Sequence, residues 1–550
     1  MRRGRIAAAA AAAAVVLGAA PAAPQTIDAT DVLVIRAQPT TPRQVLSLLA
    51  RMDEMPGPDG GVALLAHAGR LDEFLRDAAA DPDLSVTVRD TSAGDVISLA
   101  GDVADADQAW LVAEGSAPGA ADLGVVVLWG TVDPADTRAP PDDVRSLTSD
   151  STRREGVVIA EDLLPTMRSL AGLADAGDGG AVIRSVDAPP PIGLLDRYVA
   201  YRRMSVPIQT AAAVFVTIAG LIGVLLLLAR ERAPARLLSA GAWLAIAVVP
   251  LAVSLLYAGH LETLTYTSVL TAVIGGTGVG TVAAALVAGR WGTIAALGAL
   301  GAGTIALLFL EAVLDWTAAL TTFLGGSELD GGRFYGLPNV DIGLLLGAGA
   351  FVAYLVGGVR PGVAIFVAVA AFSGLPFAGA NLGAAVTLGA AAGLWWGLAG
   401  ARRWPSVVAA TVAGAAALGA FTLVANAVLP GAPTHIANFV EGEGDGVVAT
   451  VLHRLRVGLD LIARNPFAIV PVLGVPALLA VVLRPPKPVR ASFARRPGWR
   501  ATLLTILWGS VVAYIVNDTG AAALGLGFGT ALGGLLFVSL RDRPWMMEPS

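Results

Sequence analysis

VPIQTAAAVFVTIAGLIGVLLLLA, residues 206–229, holds no charged side chain and is bracketed by Arg203 and Arg230. As a helix this run measures about 36 Å, enough to cross the roughly 30 Å hydrocarbon core of a bilayer. A helix also satisfies its own backbone hydrogen bonds, the condition for crossing lipid. The sequence differs on the two sides of this run. Downstream, high hydropathy recurs at 237–258, 266–288, 292–314, 341–358, 361–377, 379–400, 405–428, 466–483, 501–516 and 520–540, broken by short charged or Gly/Pro-rich joints. The reading is an all-α polytopic membrane domain of about 11 helices over 206–540, followed by a cytoplasmic tail, 541–550. The stretch Gly374 to Asn381 is a Gly-rich break that also fits a re-entrant pair.

Upstream the chain is acidic. Residues 25–205 carry 29 Asp and Glu against 15 Arg, whereas the remainder is net basic. Short apolar runs alternate there with helical periodicity, the pattern of an α/β domain. Val32 to Ile35, Val86 to Val88, Val125 to Trp129 and Val157 to Ala160 read as strands. Arg43 to Met52, Leu71 to Ala80 and Asp162 to Leu173 read as helices, the last with Pro165 in its first turn. The start, Met1-Arg2-Arg3-Gly4-Arg5 and an apolar run from Ile6 to Ala20, is expected to be a signal peptide or N-terminal anchor over 1–24. Either form exports residues 25–205 as an extracytoplasmic α/β domain.

An apolar share of 55% and a mean hydropathy of +0.69 exclude an ordinary soluble enzyme, whose apolar share is about 45–50%. With no cysteine, disulfides, thiolate metal sites and cysteine nucleophiles are also excluded. Charge then sets the orientation. With 25–205 outside, the inner joints hold 15 basic residues, Arg230, Arg360, Arg402 and the cluster Arg484 to Arg500 among them, against four on the outer joints. The expected localisation is the bacterial plasma membrane, multi-pass, with the C-terminus cytoplasmic.

The segment Ser151-Thr152-Arg153-Arg154-Glu155-Gly156-Val157-Val158-Ile159-Ala160-Glu161-Asp162-Leu163-Leu164-Pro165-Thr166 resembles a late segment of the alkaline-phosphatase/sulfatase superfamily, in which a "TRRPG" turn leads through a strand into a "TDLAPT" helix start. Asp31-Val32-Leu33-Val34-Ile35 is similar to that family's first strand. The resemblance implies a metal-binding Asp after it, where this chain has Arg36 and Ala37. Two-metal chemistry needs several Asp and His ligands, and the outer domain has one histidine, His67. The outer domain therefore reads as a degenerate, non-hydrolytic relative, with no metal and no cofactor expected; Asp162 and Thr166 read as helix-capping residues. The order of soluble domain and membrane body also resembles ethanolamine-phosphate transferases in architecture alone.

Polar residues gather toward the outer ends of the spans. Glu311 and Asp315 stand four apart on one helical face. After them comes Gly331-Gly332-Arg333-Phe334-Tyr335-Gly336-Leu337-Pro338-Asn339-Val340-Asp341. This string resembles the "GxRFYGxGN" signature of uncharacterised bacterial envelope polytopic membrane proteins with an N-terminal degenerate alkaline-phosphatase/sulfatase-like outer domain. Gly374 to Gly383 and Asn517-Asp518-Thr519-Gly520 resemble that group's two other signatures. An interfacial aromatic belt with a Gly/Pro turn is the plainer reading of the Arg333 loop. Farther on, His435 precedes a run from Val448 to Ala463 with an apolar stripe and charges including Arg454 and Arg456, the pattern of an interfacial helix. Its arginines suit anionic headgroups or, more sharply, a phosphate or pyrophosphate. The GGTGVG string at 275–280 lies inside an apolar span; its glycines point to close helix packing.

The candidate substrate-binding residues are Arg333, Tyr335, Asn339, Asp341, Glu311, His435, Arg454, Arg456, Asn517 and Asp518, with no catalytic residue assigned. The leading expectation is an envelope membrane protein that binds or translocates a lipid-linked or anionic envelope molecule. Its expected partners are membrane lipids, a polyprenyl-phosphate-linked glycan or other envelope polymer and an envelope enzyme, with no nucleic acid. The alternatives are an outer-face membrane glycosyltransferase or lipid-linked glycan ligase, and an envelope-assembly scaffold without a substrate.

Overall fold

The computed structural model describes the strands of residues 32–129, parts of 146–186, and residues 192–314, 321–324, 336–429, 469–517 and 520–542, with Arg456 and Leu459 between. The chain divides into two compact units, residues 1–203 with 327–334, and residues 204–326 with 335–550.

The first unit holds a mixed nine-stranded sheet: β1 (Val32–Ala37), β2 (Gly61–Ala66), β3 (Thr87–Thr91), β4 (Gly94–Ser98), β5 (Gln108–Glu114), β6 (Leu123–Trp129), β7 (Ser146–Thr148), β8 (Val157–Ile159) and β9 (Arg184–Val186). Its order is β3-β4-β1-β5-β6-β2-β7-β9, with β8 on β2. Strand β1 is internal: Val34 pairs with Ile97 of antiparallel β4 and with Trp110 of parallel β5. Runs such as Val32-Leu33-Val34-Ile35 and Val125-Val126-Val127 carry the β-branched side chains that suit a pleated surface. The four strands expected from sequence overlap β1, β3, β6 and β8, and five more complete the sheet. The expected helices Arg43 to Met52 and Leu71 to Ala80 lie outside the described residues, as does His67. Of the third, Asp162, Leu163, Pro165 and Thr166 are described.

Asp162 and Thr166 are buried and act as structural ties. The Asp162 carboxylate accepts from Ser149 Oγ at 2.6 Å and from the Ile159 N–H at 3.1 Å. The Thr166 hydroxyl donates to Asp162 C=O at 2.5 Å and accepts from Ile183 N–H at 2.8 Å. Together they pin the segments around β7, β8 and β9.

The second unit is helical and polytopic. In chain order it contains α1 (Ile192–Leu228, whose first turns belong to the other unit), α2 (Ala235–Ile246), α3 (Val248–Tyr257) with the 3₁₀ turn Ala258–His260, α4 (Tyr266–Trp291) and α5 (Thr293–Leu314). The 3₁₀ turn Asn339–Asp341 then leads into α6 (Ile342–Val356), followed by α7 (Val359–Gly374), α8 (Leu382–Ala399), α9 (Trp404–Val428), α10 (Ile469–Leu483), α11 (Lys487–Arg495), α12 (Trp499–Val516) and α13 (Gly520–Arg541). Among the described residues 9 helices are long and apolar enough to cross a membrane, or up to 10 if α10 and α11, bent by 65°, make one span. That is fewer than the eleven expected. The shortfall lies at two places: α7 has 16 residues because Gly374 and Pro376 end it early, and α10 has 15 before Pro485-Pro486 turn the chain.

Outer helices keep apolar side chains uncovered. Leu228 of α1 is 75% exposed, Val279 and Leu286 of α4 are each 71% exposed, and Val428 of α9 is 74% exposed. So broad an apolar surface is stable against lipid and would aggregate in water. Inside this ring α6, α8, α12 and α13 are mostly buried, with Phe351, Phe366, Trp499 and Phe537 fully enclosed. Small residues let these helices meet closely: a Cβ on Gly393 would lie 2.1 Å from Ala410 O, and one on Gly389 2.4 Å from Gly414 O. In α4, Gly276 and Gly280 face Ser254 and Pro250 as close packing requires, but Gly275 and Gly278 face open space.

Candidate functional site

The helical unit has two chemically different ends. At one, arginines converge on the C-terminus of α13. Arg496 holds the Asp542 carboxylate with Nη2–Oδ1 at 2.6 Å and Nε–Oδ2 at 2.8 Å. Arg230, after α1, donates to Asp542 C=O at 2.5 Å, and Arg495 donates to the same oxygen. The hydrogen bonds to Asp542 hold the Arg496 guanidinium more firmly protonated than usual. At this end also lies a cavity of about 420 Å³ lined by Arg402, Trp404, Val407, Leu483, Arg500 and Leu504.

The opposite end gathers the polar residues. Gly336 has φ +76°, and a Cβ there would sit 2.3 Å from Gly379 O, so the turn before α6 lies directly on the α7–α8 connection. Leu337 N–H donates to Gly379 C=O at 2.8 Å. Asn381, fully buried, caps α8 by accepting from Ala384 N–H at 2.9 Å, while its amide donates to Leu337 C=O at 2.9 Å and Asn339 Oδ1 at 3.0 Å. A Cβ on Gly383 would meet Asn517 Oδ1 at 1.9 Å and Asn381 Oδ1 at 3.4 Å, so these two side chains flank one glycine. Asn517 itself donates to Ala513 C=O at 2.9 Å. Three asparagines thus interlock the ends of α6, α8 and α12.

Beside this interlock is an acidic group. Antiparallel α5 and α6 pack through Gly301 against Ala348 O and Gly298 against Leu355. Extending the Gly298–Leu355 register brings Glu311, thirteen residues beyond Gly298, about level with Asp341, fourteen before Leu355. Both are buried, at 5% and 1% exposure. Glu311 Oε2 lies 2.8 Å from His260 Nε2, whose ring is 5.4 Å from that of Tyr257. The Tyr257 hydroxyl donates to Leu307 C=O at 2.8 Å. Glu311 Oε1 and Asp341 Oδ1 are buried without a hydrogen-bond partner among the described residues.

Of the residues singled out from sequence, Asn339, Asp341, Glu311 and Asn517 are therefore at one end of the unit, the first and last in the interlock and the other two in the acidic group. Arg456 is helical and exposed. Arg333, Tyr335, His435, Arg454 and Asp518 lie outside the described residues. Sequence reasoning missed Tyr257 and His260. The available signal is a histidine, one of four in the chain, at the end of a span, the kind of position that also singles out Glu311. Asn381 falls in both the break and the Gly374 to Gly383 signature string, and an Asn before an apolar run is also an N-cap signal. Among the described residues no group of three or more His, Asp or Glu is placed to hold a metal ion. No family model matches the chain, and no curated protein or solved structure matches it.

Proposed function

We propose that this protein resides in a bacterial plasma membrane and binds or translocates a lipid-linked or anionic envelope molecule through the outer end of its helical body. The observation that carries this is the set Asn339, Asn381, Asn517, Glu311, Asp341 and His260, buried or half-buried at one end of an otherwise apolar bundle. A polar side chain at membrane depth is costly, and such groups persist where they face protein, ligand or water. The helix connections hold most arginines at the other end, which supports placing the polar end outside. Arg333 supplies the anion-binding charge, with Tyr335, Asp518, His435, Arg454 and Arg456 on the same outer joints.

The exported unit is a phosphatase-like α/β domain that no longer hydrolyses esters and serves as a docking module. Supporting this, the strand that should present the first metal ligand, β1, is internal to the sheet and ends Arg36-Ala37, while Asp162 and Thr166 are spent on structural ties. Native mass spectrometry of the full chain in nanodiscs, with a polyprenyl pyrophosphate as probe, tests the reading. Stoichiometric binding that Arg333→Ala abolishes, at unchanged yield of folded protein, is expected. Equal binding by Arg333→Ala overturns the site; transfer of a sugar from a lipid-linked donor would favour the ligase alternative instead.

A further inference from the structure

We propose that Glu311 and Asp341 form a proton-carrying site in the helical body, with the proton on Asp341 and His260 as its path to the surface. The inference deepens the reading above by naming a coupling ion, and rests on it only for the use to which the proton is put. Asp341 is 1% exposed, and no hydrogen bond among the described residues satisfies its Oδ1. Glu311 is 5% exposed; Oε2 meets His260, and Oε1 has no hydrogen-bond partner among the described residues. The glycine contacts between α5 and α6 put the backbones of these two residues about level on adjacent antiparallel helices.

Two ionised carboxylates cannot both persist in such a place, because burial penalises each charge and the two repel. Protonation of one removes the repulsion and that group's own burial penalty, and turns an acceptor-only oxygen into a donor. Asp341 is the better carrier, since Glu311 has His260 as a partner for its charged form. His260, with 28% of its side chain exposed, links the buried pair to the surface, and an imidazole can take up a proton at one ring nitrogen and release it at the other. The other titratable groups at this end are Tyr257 on α3, Glu262 in the α3–α4 connection, Tyr266 at the start of α4 and Tyr514 on α12; Arg290 of α4, Arg360 of α7, Arg500 of α12 and Arg541 of α13 are at the far end. Among the described ion pairs of this unit no arginine reaches either carboxyl.

The test uses the full chain in lipid nanodiscs and infrared spectroscopy, which reads the C=O stretch of a protonated carboxylic acid directly and needs no substrate. At neutral pH the wild type should show such a band, shifting in D₂O. Asp341→Asn should abolish it, Glu311→Gln should leave it, and His260→Gln should slow its deuterium exchange by roughly a hundredfold, the low end of what a positioned proton-transfer group contributes. Absence of the band in the wild type, or its persistence in Asp341→Asn, overturns the proposal. So does its removal by sodium chloride at constant pH, which would assign the site to a metal cation. Absence of the wild-type band overturns the proposal whether or not any variant folds. A protein that binds no polyprenyl pyrophosphate yet keeps the band separates failure of the transport reading from failure of this one.

Discussion

Replacing Gly393 by alanine should destabilise the helical body although it adds a single methyl group. The new Cβ would stand 2.1 Å from Ala410 O, 2.4 Å from its carbonyl carbon and 2.6 Å from Thr411 N, whereas real Cβ contacts essentially never fall under 3.0 Å. All three neighbours are backbone, so no rotamer change relieves the clash, and α8 and α9 must separate by about 1 Å. Overpacking of this kind costs about 1–3 kcal/mol. Separation would also loosen the Gly389–Gly414 contact farther along the same helix pair. Gly278→Ala is the matched control: its Cβ meets nothing within 4 Å, and gaining a better helix former should stabilise by up to about 1 kcal/mol. Thermal unfolding of both variants in one detergent, followed by tryptophan fluorescence, gives the comparison. If Gly393→Ala melts at or above Gly278→Ala, the close approach of α8 and α9 is wrong.

Arg496→Ala leaves the nearly buried Asp542 carboxylate without its two-point partner and should cost about 3 kcal/mol, measured as a lower unfolding midpoint; Arg496→Lys should recover part of it. Asn381→Ala removes the α8 cap and both bonds to the 337–339 turn, so a loss of about 2–3 kcal/mol in the same assay, with faster proteolysis at that turn, is expected. The full-length protein, incubated with zinc and an aryl phosphate or aryl sulfate, should show no turnover above a blank, because Arg36 stands where the resemblance implies a ligand; metal-dependent hydrolysis would contradict the degenerate reading.

The helical architecture was legible because lipid imposes one rule on every span, and a run such as 206–229 obeys it visibly. Span limits were less legible. Nothing in the hydropathy of 361–377 reveals that Gly374 ends a helix whose Cβ position is filled by Thr422, and the bend of 65° at 484–486 is a consequence of adjacent prolines, not of polarity. In the sheet, β1, β6 and β8 were readable as dense β-branched runs, whereas β4 (GDVIS) and β5 (QAWLVAE) interrupt theirs with Asp, Gln, Ala and Glu and pass for loop or helix. The polar end was half legible: depth in the membrane flagged Glu311 and Asp341 one by one. Their pairing depends on the α5–α6 register, set by Gly298 and Gly301 through contacts that no local pattern records. His260 was overlooked because a histidine at a span end is also an ordinary interfacial residue.

Because the chain has no cysteine, single-cysteine variants of the native sequence give its topology without further engineering. Labelling of intact cells by a membrane-impermeant maleimide, at Thr263→Cys after α3, Gly442→Cys after α9 and Arg403→Cys between α8 and α9, tests the central claim that the polar end faces outward. Thr263→Cys and Gly442→Cys should react at once, and Arg403→Cys only after permeabilisation. Labelling of Arg403→Cys in intact cells, with Thr263→Cys protected, would invert the molecule and contradict the claim.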